Sequence, residues 1–265
     1  MVPAVEANGA RIPLVGLGTW ALRGATCARM VEEAIRLGYR HIDTAAMYGN
    51  EEAVGEGLRA SGVPRDEVFI TTKVWSSDLR ARDFERSTHD SIAKLKIPSV
   101  DLLLIHWPNS SVPLKETIGV LCKMKRDGLA RHVGVSNFTG TLLEQAVKLS
   151  TEPLVTNQIE RHVYLDQSKV IAASRKAGLS VTAYTPIARG RVEDDKVLAR
   201  IGKGYGKTAA QVCLRYLVQQ DLIVIPRTSH SERLKENFAI FDFKLAAAEM
   251  KDIARLASPD GNIVS

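Results

Sequence analysis

Apolar positions in this chain follow two patterns that take turns. Short apolar runs alternate with stretches whose apolar residues recur at three- and four-residue spacing, as in MVEEAIRLG, EEAVGEGLRA, FERSTHDSIAKL and AAQVCLRYLVQQ. The runs suit buried strands, and the spaced pattern suits helices with one apolar face. Strands are predicted at roughly 14–16, 41–42, 68–72, 102–105, 132–135, 155–157, 180–183 and 222–225, with helical patterns between them. Upstream, VEANGARIP reads as a hairpin turning at Asn8-Gly9, two residue types that tolerate positive φ.

Alternating strands and helices imply a parallel sheet, and eight repeats point to a closed barrel. The expected architecture is α/β, a (β/α)8 TIM barrel with an N-terminal β-hairpin and a C-terminal extra helix near 245–256. No Gly/Ser/Pro-rich linker or low-complexity stretch divides the 265 residues, so a single barrel domain over 1–265 is expected.

In such barrels chemistry gathers at the C-terminal ends of the strands. The second predicted strand runs into Asp43 and Tyr48, the third into Lys73 and Trp75, and the fourth into His106 and Trp107. An isolated Asp, Lys or His there is more often a helix cap, a solvated cation or a core imidazole. Successive strand ends that deliver all four polar groups to one rim reverse that balance. The set suits reduction of a carbonyl, which needs hydride at carbon and a proton at the developing alkoxide. A tyrosine can give the proton, and a neighbouring ammonium is expected to lower its pKa from about 10. Asp43 would keep Lys73 charged, and His106 would donate a hydrogen bond to the substrate oxygen.

Composition alters this picture little. The net charge of +6 is dispersed, with no basic run interleaved with aromatics, so nucleic acid is not indicated as a partner. No apolar run approaches the ~20 residues that cross a bilayer, and the first residues lack the plan of a signal peptide. Cys27, Cys122 and Cys213 are odd in number and far apart, which argues against disulfides and zinc. A cytoplasmic monomer acting on a small molecule, away from membranes, is the expectation.

GLGTW (16–20), HIDTAAMYGNEEAVGEGL (41–58), FITTKVW (69–75), VDLLLIHWP (100–108), GVSNF (134–138), NQIE (157–160), AYTPIARG (183–190) and VIPRTSHSERLKENF (224–238) closely resemble the aldo-keto reductase family in order and spacing. The resemblance covers almost the whole chain and is greatest for short bacterial members of the 2,5-diketo-D-gluconic acid reductase and methylglyoxal reductase type. It implies a catalytic tetrad of Asp43, Tyr48, Lys73 and His106, with Tyr48 the general acid, and NADPH as cofactor. It places Ser136, Asn137 and Gln158 on the nicotinamide carboxamide, with Tyr184 stacked on the ring. Arg227, Thr228, Ser229 and Arg233 would take the adenosine 2′-phosphate, with Glu236 and Asn237 at the adenine. Arg227 and Thr228 stand where Lys and Ser are usual, which keeps the charge, changes its geometry and leaves NADH open as a second cofactor.

The three tryptophans, Trp20, Trp75 and Trp107, fall at predicted strand ends, where with Tyr48 and His106 they would line an apolar substrate pocket. Only nine residues, 257–265, follow the last predicted helix, where longer members of the family this chain resembles carry a loop over the site; the resemblance thus implies an open pocket for small aldehydes, α-dicarbonyls or keto sugars. Gly16-x-Gly18-x-x-Ala21 with Asp43 imitates a Rossmann fingerprint, but Pro13 interrupts its strand and Trp20 crowds its turn. The alternative from another class is a nucleotide-binding barrel with a regulatory role and little turnover.

Overall fold

Asn8 and Gly9, at φ 45° and 84°, turn the chain between β1 (Ala4–Ala7) and β2 (Ala10–Pro13). This antiparallel hairpin pairs Val5 with Ile12 and buries Ala10 and Ile12 completely. The Asn8 side chain donates to Leu154 O at 2.7 Å, so the hairpin covers the end where the barrel strands begin. The structure is a computed structural model, and it describes residues 2–264.

Eight parallel strands follow in sequence order around one sheet: β3 (Leu17–Gly18), β4 (His41–Asp43), β5 (Phe69–Val74), β6 (Val100–Ile105), β7 (Ala130–Ser136), β8 (Leu154–Glu160), β9 (Ser180–Tyr184) and β10 (Ile223–Val224). The sheet curls until its edges meet. Gly16 N donates to Val224 O (2.9 Å), Val224 N to Leu14 O (2.8 Å) and Gly18 N to Pro226 O (3.1 Å). Residues 14–16, expected as the first strand, therefore form the seam with β10, while regular pairing with β4 starts at Leu17. A Cβ on Gly18 would lie 2.6 Å from Ile225 O, so a side chain there would force the seam apart.

The helices are α1 (Gly24–Leu37), α2 (Glu51–Ala60), α3 (Ala81–Leu95), α4 (Leu114–Arg126), α5 (Gly140–Leu149), α6 (Ser168–Lys176), α7 (Lys196–Tyr205), α8 (Ala209–Val218), α9 (Ser231–Phe238) and the C-terminal α10 (Ala247–Ala254). Two helices, α7 and α8, separate β9 from β10. The apolar periodicity pointed only to α8, whose Thr208–Gln211 capping box satisfies its first turn. α7 is capped by Asp195, which accepts from Val197 N and Leu198 N.

With helices outside and side chains filling the lumen, strands are buried on both faces and read as near-continuous apolar runs. β6, VDLLLI, is buried throughout. Its one charge, Asp101, accepts from Ile70 N at 2.8 Å and pairs with Arg65 and Arg131. A buried carboxylate needs such partners. Among the described residues no helix is long and apolar enough to cross a membrane.

Candidate active site

Asp43 ends β4, Lys73 stands one residue from the end of β5 and His106 directly follows β6, so all three reach the same rim of the barrel. Lys73 is fully enclosed, and its Nζ donates to Asp43 Oδ1 at 2.5 Å and to Thr44 O at 2.7 Å. Tyr48 enters from a 3-10 turn, Ala46–Tyr48, that Gly49 ends in the left-handed conformation. Lys73 Nζ lies 5.1 Å from the centroid of the Tyr48 ring. The Tyr48 and His106 rings meet edge to face at 5.6 Å, and Trp75 stands edge-on to His106 at 5.0 Å. The four residues share one cleft.

The electrostatics of the cleft differ from the sequence expectation in one respect. Burial pushes the Tyr48 phenol up from its ordinary pKa, and the pull of Lys73 does not overcome it. For Lys73, burial opposes the charge, but Asp43 and Tyr48 outweigh it and raise its pKa, so the ammonium persists. Burial, assisted by Lys73, holds the His106 imidazole down to about 3, so it is neutral near neutral pH. His106 Nδ1 is buried without a partner, which makes Nε2 the accessible ring nitrogen.

Beside this group lies a polar cluster. Ser136 Oγ donates to Gln158 O (2.9 Å), and Asn137 Nδ2 donates to His106 O (3.0 Å) and to Ser136 Oγ (3.1 Å). The Tyr184 hydroxyl donates to Asn137 Oδ1 at 2.8 Å, and Gln158 Nε2 donates to Asp43 Oδ2 at 2.8 Å. Asn137 holds a positive φ of 64°, a conformation asparagine tolerates better than most residues. Ser136, Asn137, Gln158 and Tyr184 are therefore brought together, next to Asp43 and His106.

The segment after β10 forms a second grouping. Arg227 is exposed, Thr228 is buried, and Ser229 and His230 lead into α9, whose first turn has no side-chain cap. Uncapped amides with Arg227 and Arg233 nearby suit an anion. Arg233 reaches Glu193 at 3.0 Å, and Glu236 Oε1 accepts from Thr208 Oγ1 at 2.6 Å. Asn237 is buried.

Trp20 is 49% exposed and carries the Arg189 guanidinium 5.3 Å from its ring centroid, while Trp75 and Trp107 are half-buried. Met47, 44% exposed, adds an apolar side chain beside Tyr48 that the sequence reading passed over. It also passed over Asn50, whose amide donates to Thr19 O and Leu22 O while its Oδ1 accepts from Thr44, binding the loops after β3 and β4 together. The one available signal was its place in MYGNEE, just before α2.

The short C-terminal tail is docked beside the end of β8. Ser258 pairs with Leu165, and the amides of Ile263 and Val264 both donate to Glu160 Oε1 (2.8 and 3.3 Å) at the end of β8. A cavity of about 860 Å³ opens at the opposite end of the barrel beside Arg40, Phe69 and Arg131, and none of the candidate site residues lines it. Among the described residues no group of three or more His, Cys, Asp or Glu side chains is placed to hold a metal ion.

The sequence profile described as "Aldo/keto reductase family" matches residues 14–258. The chain is 40% identical over 259 residues to methylglyoxal reductase DkgB of Escherichia coli O157:H7, covering 94% of this chain and 97% of that one. It superposes with a TM-score of 0.98 on a putative 2,5-diketo-D-gluconic acid reductase B, at 50% identity over 100% of this chain and 95% of the other. A Bombyx mori aldo-keto reductase in complex with NADP superposes with a TM-score of 0.93 at 33% identity, over 100% and 95% of the two chains.

Proposed function

The chain belongs to the aldo/keto reductase family, and from that premise we propose which of its residues carry the reduction of a carbonyl to an alcohol, and on which compounds. It is an NADP(H)-dependent oxidoreductase, and the bound cofactor supplies the hydride. The named reductases among its relatives give the regulatory alternative no support.

Tyr48 is the proton donor. Its raised pKa means that the resting phenol keeps its proton until a carbonyl oxygen needs it. Lys73, held charged by Asp43, then stabilises the phenolate left behind. His106, neutral, presents Nε2–H to the substrate oxygen and orients the carbonyl. Ser136, Asn137 and Gln158 take the carboxamide, with Tyr184 against the ring. Arg227, Thr228, Ser229 and Arg233 take the 2′-phosphate, and Glu236 and Asn237 the adenine. The residues fit such a cofactor: the start of α9 lacks a side-chain cap, Arg227 is exposed just before it and Arg233 lies in its first turn, and two arginines in this segment favour NADPH over NADH.

The observation that carries this reading is the enclosed Lys73–Asp43 pair against the Tyr48 ring, with His106 in the same cleft. Trp20, Trp75 and Trp107 give the mouth an aromatic rim, which with the relatives' names favours small aldehydes, α-dicarbonyls and keto sugars. On this reading the chain is a single domain acting as a cytoplasmic monomer, and the three buried free cysteines suit a reducing compartment. The test is NADPH oxidation over a panel of these carbonyls, with Tyr48→Phe as the diagnostic variant. Its kcat should fall by about 10²–10⁴-fold while NADPH still binds, and undiminished turnover would remove Tyr48 from the role.

A further inference from the structure

Gln158 belongs to two networks at once. It stands on β8, and its side chain crosses the lumen to β4, where Nε2 donates to Asp43 Oδ2. An amide facing an ionised carboxylate can present only its NH2 group, so the orientation is set by chemistry. Oε1 then remains, making no hydrogen bond among the described residues and lying outside the fully buried orphan atoms. By contrast both ends of the Asn137 amide are engaged, Nδ2 with His106 O and Oδ1 with Tyr184. The free acceptor in this cluster is Gln158 Oε1.

The Asp43 carboxylate is divided in the same way. Oδ1 takes the Lys73 ammonium at 2.5 Å and Oδ2 takes Gln158 at 2.8 Å. Holding both oxygens fixes the rotation of the carboxylate, and with it the place of the ammonium beside Tyr48. Asp43 and Gln158 are both almost fully buried, so breaking either bond costs more than it would in water.

We propose that Gln158 is a positioning residue for the Lys73–Asp43 pair, linking the grip on the cofactor's carboxamide to the Tyr48 proton through the second oxygen of Asp43. A carboxamide N–H donating to Oε1 polarises the amide and strengthens its N–H···O bond to Asp43. Occupancy of the cofactor site thus tightens the ion pair on the far side of the lumen. The inference rests on the roles given above to Asp43, Lys73 and Tyr48.

A double-mutant cycle of Gln158→Met and Asp43→Asn tests it, read by NADPH affinity from fluorescence titration and by kcat against pH. Gln158→Met alone should weaken NADPH binding, lower kcat about tenfold and move the pH limb of kcat. In the Asp43→Asn background it should still weaken binding yet leave kcat and the limb where Asp43→Asn put them. Losses in kcat that multiply would overturn the proposal, because Gln158 would then act through the carboxamide alone. Gln158→Glu gives an independent check should the methionine variant fold poorly. Its protonated acid can donate to Asp43 and its carboxylate cannot, so kcat should recover as pH falls, and no recovery would count against the link. If Asp43→Asn by itself leaves kcat unchanged, the reading of the tetrad fails first, an outcome distinct from failure of the coupling.

Discussion

Replacing His106 with asparagine removes a buried imidazole whose pKa falls from 6.5 to about 3 on folding. Between those values the unfolded chain binds a proton that the folded chain refuses. Stability therefore rises with pH through this window and is lost as pH falls from 6.5 toward 3, below which both states are protonated. One pKa unit corresponds to about 1.4 kcal/mol, so the full window holds on the order of 5 kcal/mol, and about 2 kcal/mol of it lies between pH 7 and pH 5. Asparagine does not titrate. The stability difference between His106→Asn and the parent should shift by about 2 kcal/mol in favour of the variant over that interval. Urea unfolding at pH 7, 6 and 5 reads it directly. His41, His132 and His162 are also held below their ordinary pKa, mainly by burial, but they are common to both proteins and cancel in the difference. Parallel stability curves from pH 7 to pH 5 would refute the neutral imidazole, and with it the case for His106 as an uncharged donor.

Other consequences are open to measurement. A Cβ on Gly57 would lie 2.3 Å from Ala28 O, where α2 crosses α1. Gly57→Ala should cost about 1–3 kcal/mol and lower Tm by several degrees, and an unchanged Tm would mean that the helices part freely. A Cβ on Gly261 would come within 1.9 Å of Tyr164 O. Gly261→Ala should therefore speed amide exchange over 258–264 while Tm barely moves, and exchange like that of the parent would contradict the docked tail. Glu193 competes for Arg233 through a pair whose side chains are about half exposed. Glu193→Gln should tighten NADPH binding by up to about fivefold at low salt and by nothing at high salt; no gain at low salt would exclude Arg233 from the phosphate site.

Much of this fold was legible because continuous apolar runs and a 3.6-residue period are written into different segments. The polar residues at the strand ends could be lined up because barrel topology fixes which end carries them. Other features were not written locally. Residues 14–18 are one apolar run, and nothing in it marks where pairing passes from β10 to β4. α7 buries Leu198 and Ile201 but ends in Gly-Lys-Gly-Tyr, which weakens its helical signal. The Gln158–Asp43 bond spans 115 residues and depends on the width of the lumen. The direction of the Tyr48 shift is a contest between burial and Lys73, and a sequence shows the charge without the depth.

The join between Leu14–Gly18 and Val224–Pro226 gives the barrel one thin stave. β3 and β10 have two residues each, and a handful of backbone bonds close the circle. The chain leaves that stave straight into Arg227 and Thr228, the turn proposed above to take the cofactor's phosphate. A dinucleotide lodged there acts as a clasp. It should slow opening at this join more than anywhere else on the circumference, which makes the strength of the closed ring depend on whether the cell has cofactor to spare.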